Sequence, residues 1–216
     1  WGVYGGILKN DGKNENIQRL ANDGCVVENA FCTNSICTPS RAAILTGQYS
    51  HMNRVYTLRE PLPPDHVNIA GLLKQEGYQT AVIGKWHLVN QPVGFDYYNV
   101  LPGQGVYFDP VLKNAETWED GYGGGIKHMG FSTNVIADLT IKWLNERDPK
   151  KPFLMLTHFK ATHEPFHYPE KYSQLYKNIS LPEPESLYHF NSETTGRSFK
   201  GQKLEVLGER MLQASV

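Results

Sequence analysis

The chain has 216 residues, 40% of them apolar and 20% charged, enough for one large domain or two small ones with a real core. Lys and Arg number 21 against 22 Asp and Glu, a net charge of -1, so no basic excess points to nucleic acid or an anionic membrane. The longest apolar runs, such as Ala42–Leu45 and Phe153–Leu156, fall far short of the roughly 20 residues that span a bilayer.

In chain order, Ile17, Leu20 and Ala21 recur at helical spacing between Asn14 or Asn16 as a cap and Gly24 as a stop. Residues 25–35 mix β-formers with turn formers and predict a short strand leading into a loop. Thr38-Pro39 reads as a helix start, Thr as N-cap and Pro at the first helical position, with the helix running to Gly47. A proline-rich link at 61–64 precedes a helix from Asn68 to Glu76, and residues 78–84 read as a buried strand. Residues 92–130, rich in Gly, Tyr and Pro, predict a long ordered loop region. Ser132 caps a helix whose Val135, Ile136, Leu139, Trp143 and Leu144 share a face. Phe153–Phe159 predicts a central strand, residues 161–185 are irregular, and residues 203–215 recover a helical pattern. Helices alternating with single strands indicate a layered α/β fold.

The three cysteines, Cys25, Cys32 and Cys37, lie in one short stretch and are odd in number, which is no disulfide framework. Trp1-Gly2-Val3-Tyr4 lacks a basic start and a hydrophobic segment, so no signal peptide is visible and residue 1 is expected to be interior to a longer protein. A free cysteine is usually a small buried hydrophobe. Cys37 differs in position: it precedes a proline-initiated helix, whose unpaired N–H groups and positive dipole end favour anions and activated nucleophiles. Arg41, one turn in, adds a planar donor fork suited to a tetrahedral oxyanion. A cysteine-phosphatase loop needs a longer interval between Cys and Arg than the three residues found here.

The stretch Cys37-Thr38-Pro39-Ser40-Arg41, continuing to Leu45-Thr46-Gly47, resembles the first signature of the sulfatases at every fixed position. A chance match is on the order of 10⁻⁷ over the chain at average residue usage. Gly77-Tyr78-Gln79-Thr80-Ala81-Val82-Ile83-Gly84-Lys85-Trp86-His87-Leu88 resembles the second signature, in the family's order. The resemblance implies an α/β/α sandwich of the alkaline-phosphatase type and hydrolysis of a sulfate ester. Cys37 would be oxidised to formylglycine by a formylglycine-generating or anaerobic sulfatase-maturing enzyme, and its hydrated aldehyde would supply the nucleophile. Arg41 and Lys85 would hold the oxyanion, and His87 would contact the formylglycine. His163, in FKATHEPFHYP, would be the general acid, and Trp86 would be packing.

The resemblance also implies a divalent cation, usually calcium, polarising the sulfate, with Cys37 as formylglycine among its ligands. The family's paired acidic ligands upstream of the signature cysteine have no counterpart in residues 1–36, where Asp11 and Asp23 are isolated. No Asp follows Asp148 to supply its C-terminal metal motif. The remaining ligands are therefore expected outside this chain, and residues 1–216 to be the central part of the N-terminal catalytic domain, without the metal-ligand strand and the C-terminal parts. Unpaired sheet edges would then be prone to association.

Other features have competing readings. His163-Glu164-Pro165-Phe166-His167 fits a zinc-protease pattern, but Pro165 and Pro169 forbid the continuous helix that chemistry needs. His158 and His167 are further site candidates, each also readable as a hydrogen-bonded loop residue. His51, Asn53 and Arg54 could line the rim as substrate-binding residues, with Arg59 nearby; solvated loop positions are the alternative. Gly121–Gly125 reads as a turn rather than a nucleotide loop, and Asn178-Ile179-Ser180 as a glycosylation triplet that matters only in a eukaryotic secretory protein. Tyr97, Tyr98, Tyr107, Phe108 and Trp118 could stack on sugars, which favours a sulfated carbohydrate as substrate. The family implies an extracytoplasmic location, periplasmic, secreted or lysosomal. Two rivals remain: a phosphate or phosphonate ester hydrolase of the same superfamily, and a non-catalytic binding protein on a partial sulfatase scaffold.

Overall fold

The computed structural model describes residues 2–5, 14–180 and 182–183. The helix expected over 203–215 lies outside the described residues. The chain divides into two compact units, Cys32–His163 and Trp1–Phe31 with Glu164–Val216.

In the latter unit, α1 (Glu15–Asp23) forms where the Ile17, Leu20, Ala21 spacing predicts it, but it buries none of its residues. The hydroxyl of Tyr4 donates to the carbonyl of Val27 at 3.3 Å. Residues 25–35 form no strand: the short runs Cys25–Val27 and Phe31–Thr33 are split by Glu28-Asn29-Ala30, and no described strand pairs with them. Residues 161–169 contain no helix, so the HExxH pattern lacks the scaffold a zinc protease uses. Asn178 and Ser180 are exposed.

The unit Cys32–His163 contains α2 (Cys37–Thr46), α3 (Ser50–Asn53), α4 (Ile69–Gln75), β1 (Gln79–Lys85), β2 (Tyr97–Leu101), β3 (Val111–Leu112), β4 (Ile126–Lys127), α5 (Ser132–Glu146) and β5 (Phe153–His158). β1, β2 and β5 form a parallel sheet in the order β2-β1-β5. The strand expected to be central, Phe153–Phe159, therefore flanks β1. The 92–130 region contains β2, which its Gly, Tyr and Pro content concealed.

Strand alternation sorts side chains to two faces. Val82, Tyr98, Val100, Leu154 and Leu156 pack with Ala42 and Leu45 of α2 and Ala70 of α4. Ile83, Tyr97, Leu101 and Met155 pack with Val135, Ile136, Leu139 and Trp143 of α5. The result is three layers, helix on sheet on helix, the α/β/α architecture that its sequence resemblance implies. Fully burying Val82 or Ile83 is worth about 1.5–3 kcal/mol each.

Local chemistry sets the element ends. Asn68 caps α4, its side chain accepting from the Gly71 N–H at 3.0 Å. Gly47 closes α2 in the left-handed conformation, φ 65°, with its N–H on the Ala43 carbonyl at 2.8 Å. Gly84 sits at φ 101°, where a Cβ would lie 2.0 Å from the His158 carbonyl oxygen. Only glycine lets β1 and β5 approach so closely just before Lys85. Ser132 is not a cap but the first residue of α5, after Phe131.

β3 and β4 form a separate antiparallel pair. Fully buried Lys113 closes the Gly121–Gly125 turn region by donating to the carbonyls of Glu119 at 2.6 Å and Gly121 at 2.8 Å.

Candidate active site

The site residues gather where β1 and β5 end and α2 begins. Cys37 is the first residue of α2, with Ile36 in the N-cap position, two residues earlier than the Thr38 cap predicts. Thr38 is buried and its hydroxyl donates instead to the His87 carbonyl at 2.8 Å. A long-range anchor thus replaces the local cap, and α2 is tied to the segment carrying His87. Pro39 still lies among the first helical positions, whose N–H groups have no intrahelical partner, so its missing N–H costs nothing.

Arg41 Nη1 donates to the Lys85 carbonyl at 2.6 Å and lies 3.1 Å from His158 Nδ1. That same Nδ1 is 3.1 Å from the Lys85 carbonyl; it accepts from Arg41 or donates to Lys85, one at a time, according to tautomer. Lys85, almost fully buried, points Nζ at Cys37 Sγ (3.8 Å) and at Gln104 Oε1 (2.6 Å). Cys37, Arg41 and His158 line a cavity of about 460 Å³ with Ser35, Ser40 and Ile44.

Burial is the main force on the site's ionisation. It lowers the Arg41 pKa, opposed by Cys37. It lowers that of Lys85 too, with Arg41 and Lys160 adding and Cys37 opposing. The His87 pKa falls to about 4, through burial first and then Lys85, Arg41 and His163. The His158 pKa also falls to about 4, through burial and then Arg41. Both imidazoles are therefore neutral near pH 7. Buried His87 Nδ1 has no partner among the described residues, and no carboxylate contributes to the shift of either cation.

Arg41, Lys85, His87 and Cys37 are thus brought together, with His163 near enough to act on His87. The His163 backbone is held by Tyr107, whose hydroxyl accepts from the His163 N–H at 3.1 Å. Trp86 is packing, donating Nε1 to the Asn90 carbonyl at 2.7 Å and meeting Phe95 edge-on. Asn53, expected at the rim, is fully buried, and its side chain bonds the Gln48 carbonyl and the Val55 N–H. Its polar groups are spent on the α3 turn, so it does not serve as a rim contact. His51 stacks on Tyr49 and Arg54 caps α3; both are exposed and neither lines the cavity beside Cys37. His167 belongs to the other unit.

Of the aromatic candidates, Tyr98 and Tyr107 are buried and Tyr97 packs against the α5 core. Trp118 meets Tyr98 edge-on, while Phe108 is half exposed. His158 was marked in the sequence only by ending a strand, and Gln104 and Lys160 by nothing beyond the glycines and the strand end beside them.

Calcium needs several hard oxygen ligands. Among the described residues no three His, Cys, Asp or Glu side chains converge on a possible metal position, and the nearest neighbours of Cys37 include the Lys85 ammonium. The described residues alone do not fit such a site. No described helix is long and apolar enough to cross a membrane.

The sulfatase family model matches residues 1–200. The chain belongs to the sulfatase family, in the alkaline phosphatase superfamily. An N-acetylglucosamine-6-O-sulfatase of Bacteroides thetaiotaomicron is 37% identical over 209 residues, covering 94% of this chain and 35% of that protein. Human N-acetylgalactosamine-6-sulfatase is 29% identical over 196 residues, covering 76% of this chain and 38% of its own length. A solved structure in complex with its substrate D-glucosamine-2-N,6-O-disulfate superposes with a TM-score of 0.79 at 37% identity, over 87% of this chain and 37% of that one. A Bacteroides fragilis protein, TM-score 0.70 at 18% identity over 95% of this chain and 54% of that one, shares the fold. The chain spans little more than a third of the curated relatives named here.

Proposed function

We propose that this chain forms part of the catalytic domain of a sulfatase acting on a sulfated carbohydrate, through a formylglycine made from Cys37 by a maturing enzyme. The observation that carries the reading is the convergence of Arg41 and Lys85 on Cys37 with no carboxylate acting on either cation among the described residues. Desolvated cations of this kind favour a bound tetrahedral anion. A 6-O-sulfated hexosamine is the favoured substrate, supported by the N-acetylglucosamine-6-O-sulfatase relative and the disulfated glucosamine complex. An extracytoplasmic setting goes with that reading.

One hydroxyl of the hydrated aldehyde at position 37 attacks sulfur. A new S–O bond forms while the S–O bond to the sugar breaks; the attacking hydroxyl releases its proton to water, and the sugar oxygen takes one from His163. The second hydroxyl then gives its proton to His87, neutral near pH 7. Its electrons rebuild the C=O bond as the C–O bond to sulfate breaks, and water rehydrates the aldehyde. Arg41 and Lys85 hold the sulfuryl oxygens through both steps. A divalent cation would need ligands beyond the described residues.

The test uses the full-length protein expressed with a maturing enzyme. Mass spectrometry of the peptide containing residue 37 should find an aldehyde. N-acetylglucosamine 6-sulfate and an aryl sulfate should release inorganic sulfate, and Cys37→Ala should abolish release. Faster turnover of the matched aryl phosphate would reassign the protein to phosphate esters. A plain thiol with anion binding and no turnover would make it a binding protein.

A further inference from the structure

Both ends of Lys85 are held. Its carbonyl is fixed by Arg41, whereas its ammonium is fixed by a side chain from outside either signature, Gln104. Gln104 is the tip of a tight turn after β2, closed by the Gly105 N–H on the Pro102 carbonyl at 3.1 Å. Gly103 and Gly105 on either side adopt φ 52° and 66°. A Cβ on Gly103 would lie 2.8 Å from the Tyr122 hydroxyl oxygen, and one on Gly105 3.0 Å from Leu101 Cδ1. Both glycines are thus favoured by their left-handed backbone, which L side chains rarely adopt. The turn is anchored again through the Gln104 carbonyl, which accepts from Lys160 Nζ at 3.2 Å. Lys160 is buried and lies 4.8 Å over the Tyr107 ring.

The chemistry of the partner matters. An ammonium has three N–H donors. One goes to Gln104 and one faces position 37, which leaves one for an incoming anion. A carboxylate in place of Gln104 would also bind the ammonium, but it would neutralise Lys85 and repel sulfate. An amide holds the charge in place without cancelling it.

Resting on the sulfatase reading, we infer that Gln104 is a positioning residue, which aims the Lys85 ammonium between position 37 and the sulfuryl group while leaving its charge available to the anion. The turn is built for that purpose from both sides: glycines admit the backbone, and Lys160 pins it.

The experiment compares full-length wild type, Gln104→Leu and Gln104→Glu, each checked for folding by circular dichroism. Turnover of N-acetylglucosamine 6-sulfate and binding of inorganic sulfate by calorimetry are both measured. Gln104→Leu frees the ammonium to wander, so kcat should fall about 10²-fold with KM nearly unchanged. Gln104→Glu, equal in size, should weaken sulfate binding about tenfold or more through charge alone. A purely structural role would move neither the KM-against-kcat split nor the contrast between the two variants. The inference is overturned if Gln104→Leu keeps wild-type kcat, or if Gln104→Glu binds sulfate as tightly as wild type. Wild type that binds sulfate but cleaves no ester would sink the sulfatase reading instead, and sulfate binding by Gln104→Glu would still decide the role of Gln104.

Discussion

Replacing Gly84 by alanine tests how the fold brings the site together. The new Cβ would meet the His158 carbonyl oxygen at 2.0 Å, its carbon at 2.9 Å and Ile136 Cδ1 at 3.2 Å. An unstrained C···O contact is about 3.3 Å or more, so β1 and β5 must separate by about 1 Å. Overpacking of this kind costs about 1–3 kcal/mol. Alanine at φ 101° adds about 1–3 kcal/mol of backbone strain, giving about 2–6 kcal/mol in all. Gly47→Ala is the control: it also has positive φ, 65°, but no atom lies within 4 Å of the added Cβ. It should cost only the left-handed penalty of about 1–2 kcal/mol. Thermal or urea unfolding of the two full-length variants should therefore rank Gly84→Ala well below Gly47→Ala. Separation of the strands also pulls His158 from the Lys85 carbonyl, so kcat should fall about 10²-fold in Gly84→Ala. Equal midpoints for the two variants would refute the claim that close approach of β5, rather than φ alone, demands glycine there.

Two further predictions concern the same residues. Thr38→Val removes the donor to the buried-side carbonyl of His87; a stability loss of about 1–3 kcal/mol is expected in denaturant unfolding, with Thr38→Ser retaining most of it. His158 has a folded pKa of about 4 against an ordinary 6.5, so the unfolded chain binds more protons between those values and stability is full above pH 6.5 and falls as the pH drops towards 4. Melting curves across that window should show the fall, and His158→Gln should remove about half of it, His87 contributing the rest.

The sequence exposed those parts of the molecule whose causes are local. Asn68 and Gly47 marked helix ends because capping and left-handed closure depend on one residue's chemistry. The run 78–84 read as a buried strand because it is apolar on both faces. Cys37, Arg41, Lys85 and His87 were recognisable because the two signatures keep fixed spacing. What stayed hidden depends on pairing across the chain. Tyr97–Leu101 forms a strand because β1 offers it a parallel edge, from Ala81↔Tyr97 to Lys85↔Leu101, and local composition masks that. Phe153–His158 flanks β1 because strand order follows tertiary packing, which no single run encodes. Thr38 lost its capping role for the same reason: a carbonyl 49 residues away outcompeted the local N–H groups. Gln104 was invisible because its task is set by the position of the Lys85 ammonium, not by its neighbours.

The electrostatics of the centre connect these observations. Arg41 and Lys85 are each pulled below their ordinary pKa chiefly by burial, and Arg41 and Lys160 add to the shift of Lys85. Keeping them charged and desolvated costs the fold stability. The Lys85 carbonyl and Gln104 offset part of that cost with hydrogen bonds, but neither carries a full negative charge. A bound dianion would repay the remainder, so affinity for the anion and strain in the empty centre are one quantity seen from two sides. Variants that remove a cation, such as Lys85→Met, should therefore lose sulfate affinity while the empty protein loses little stability. A carboxylate introduced at position 104 should stabilise the empty protein at the direct expense of binding.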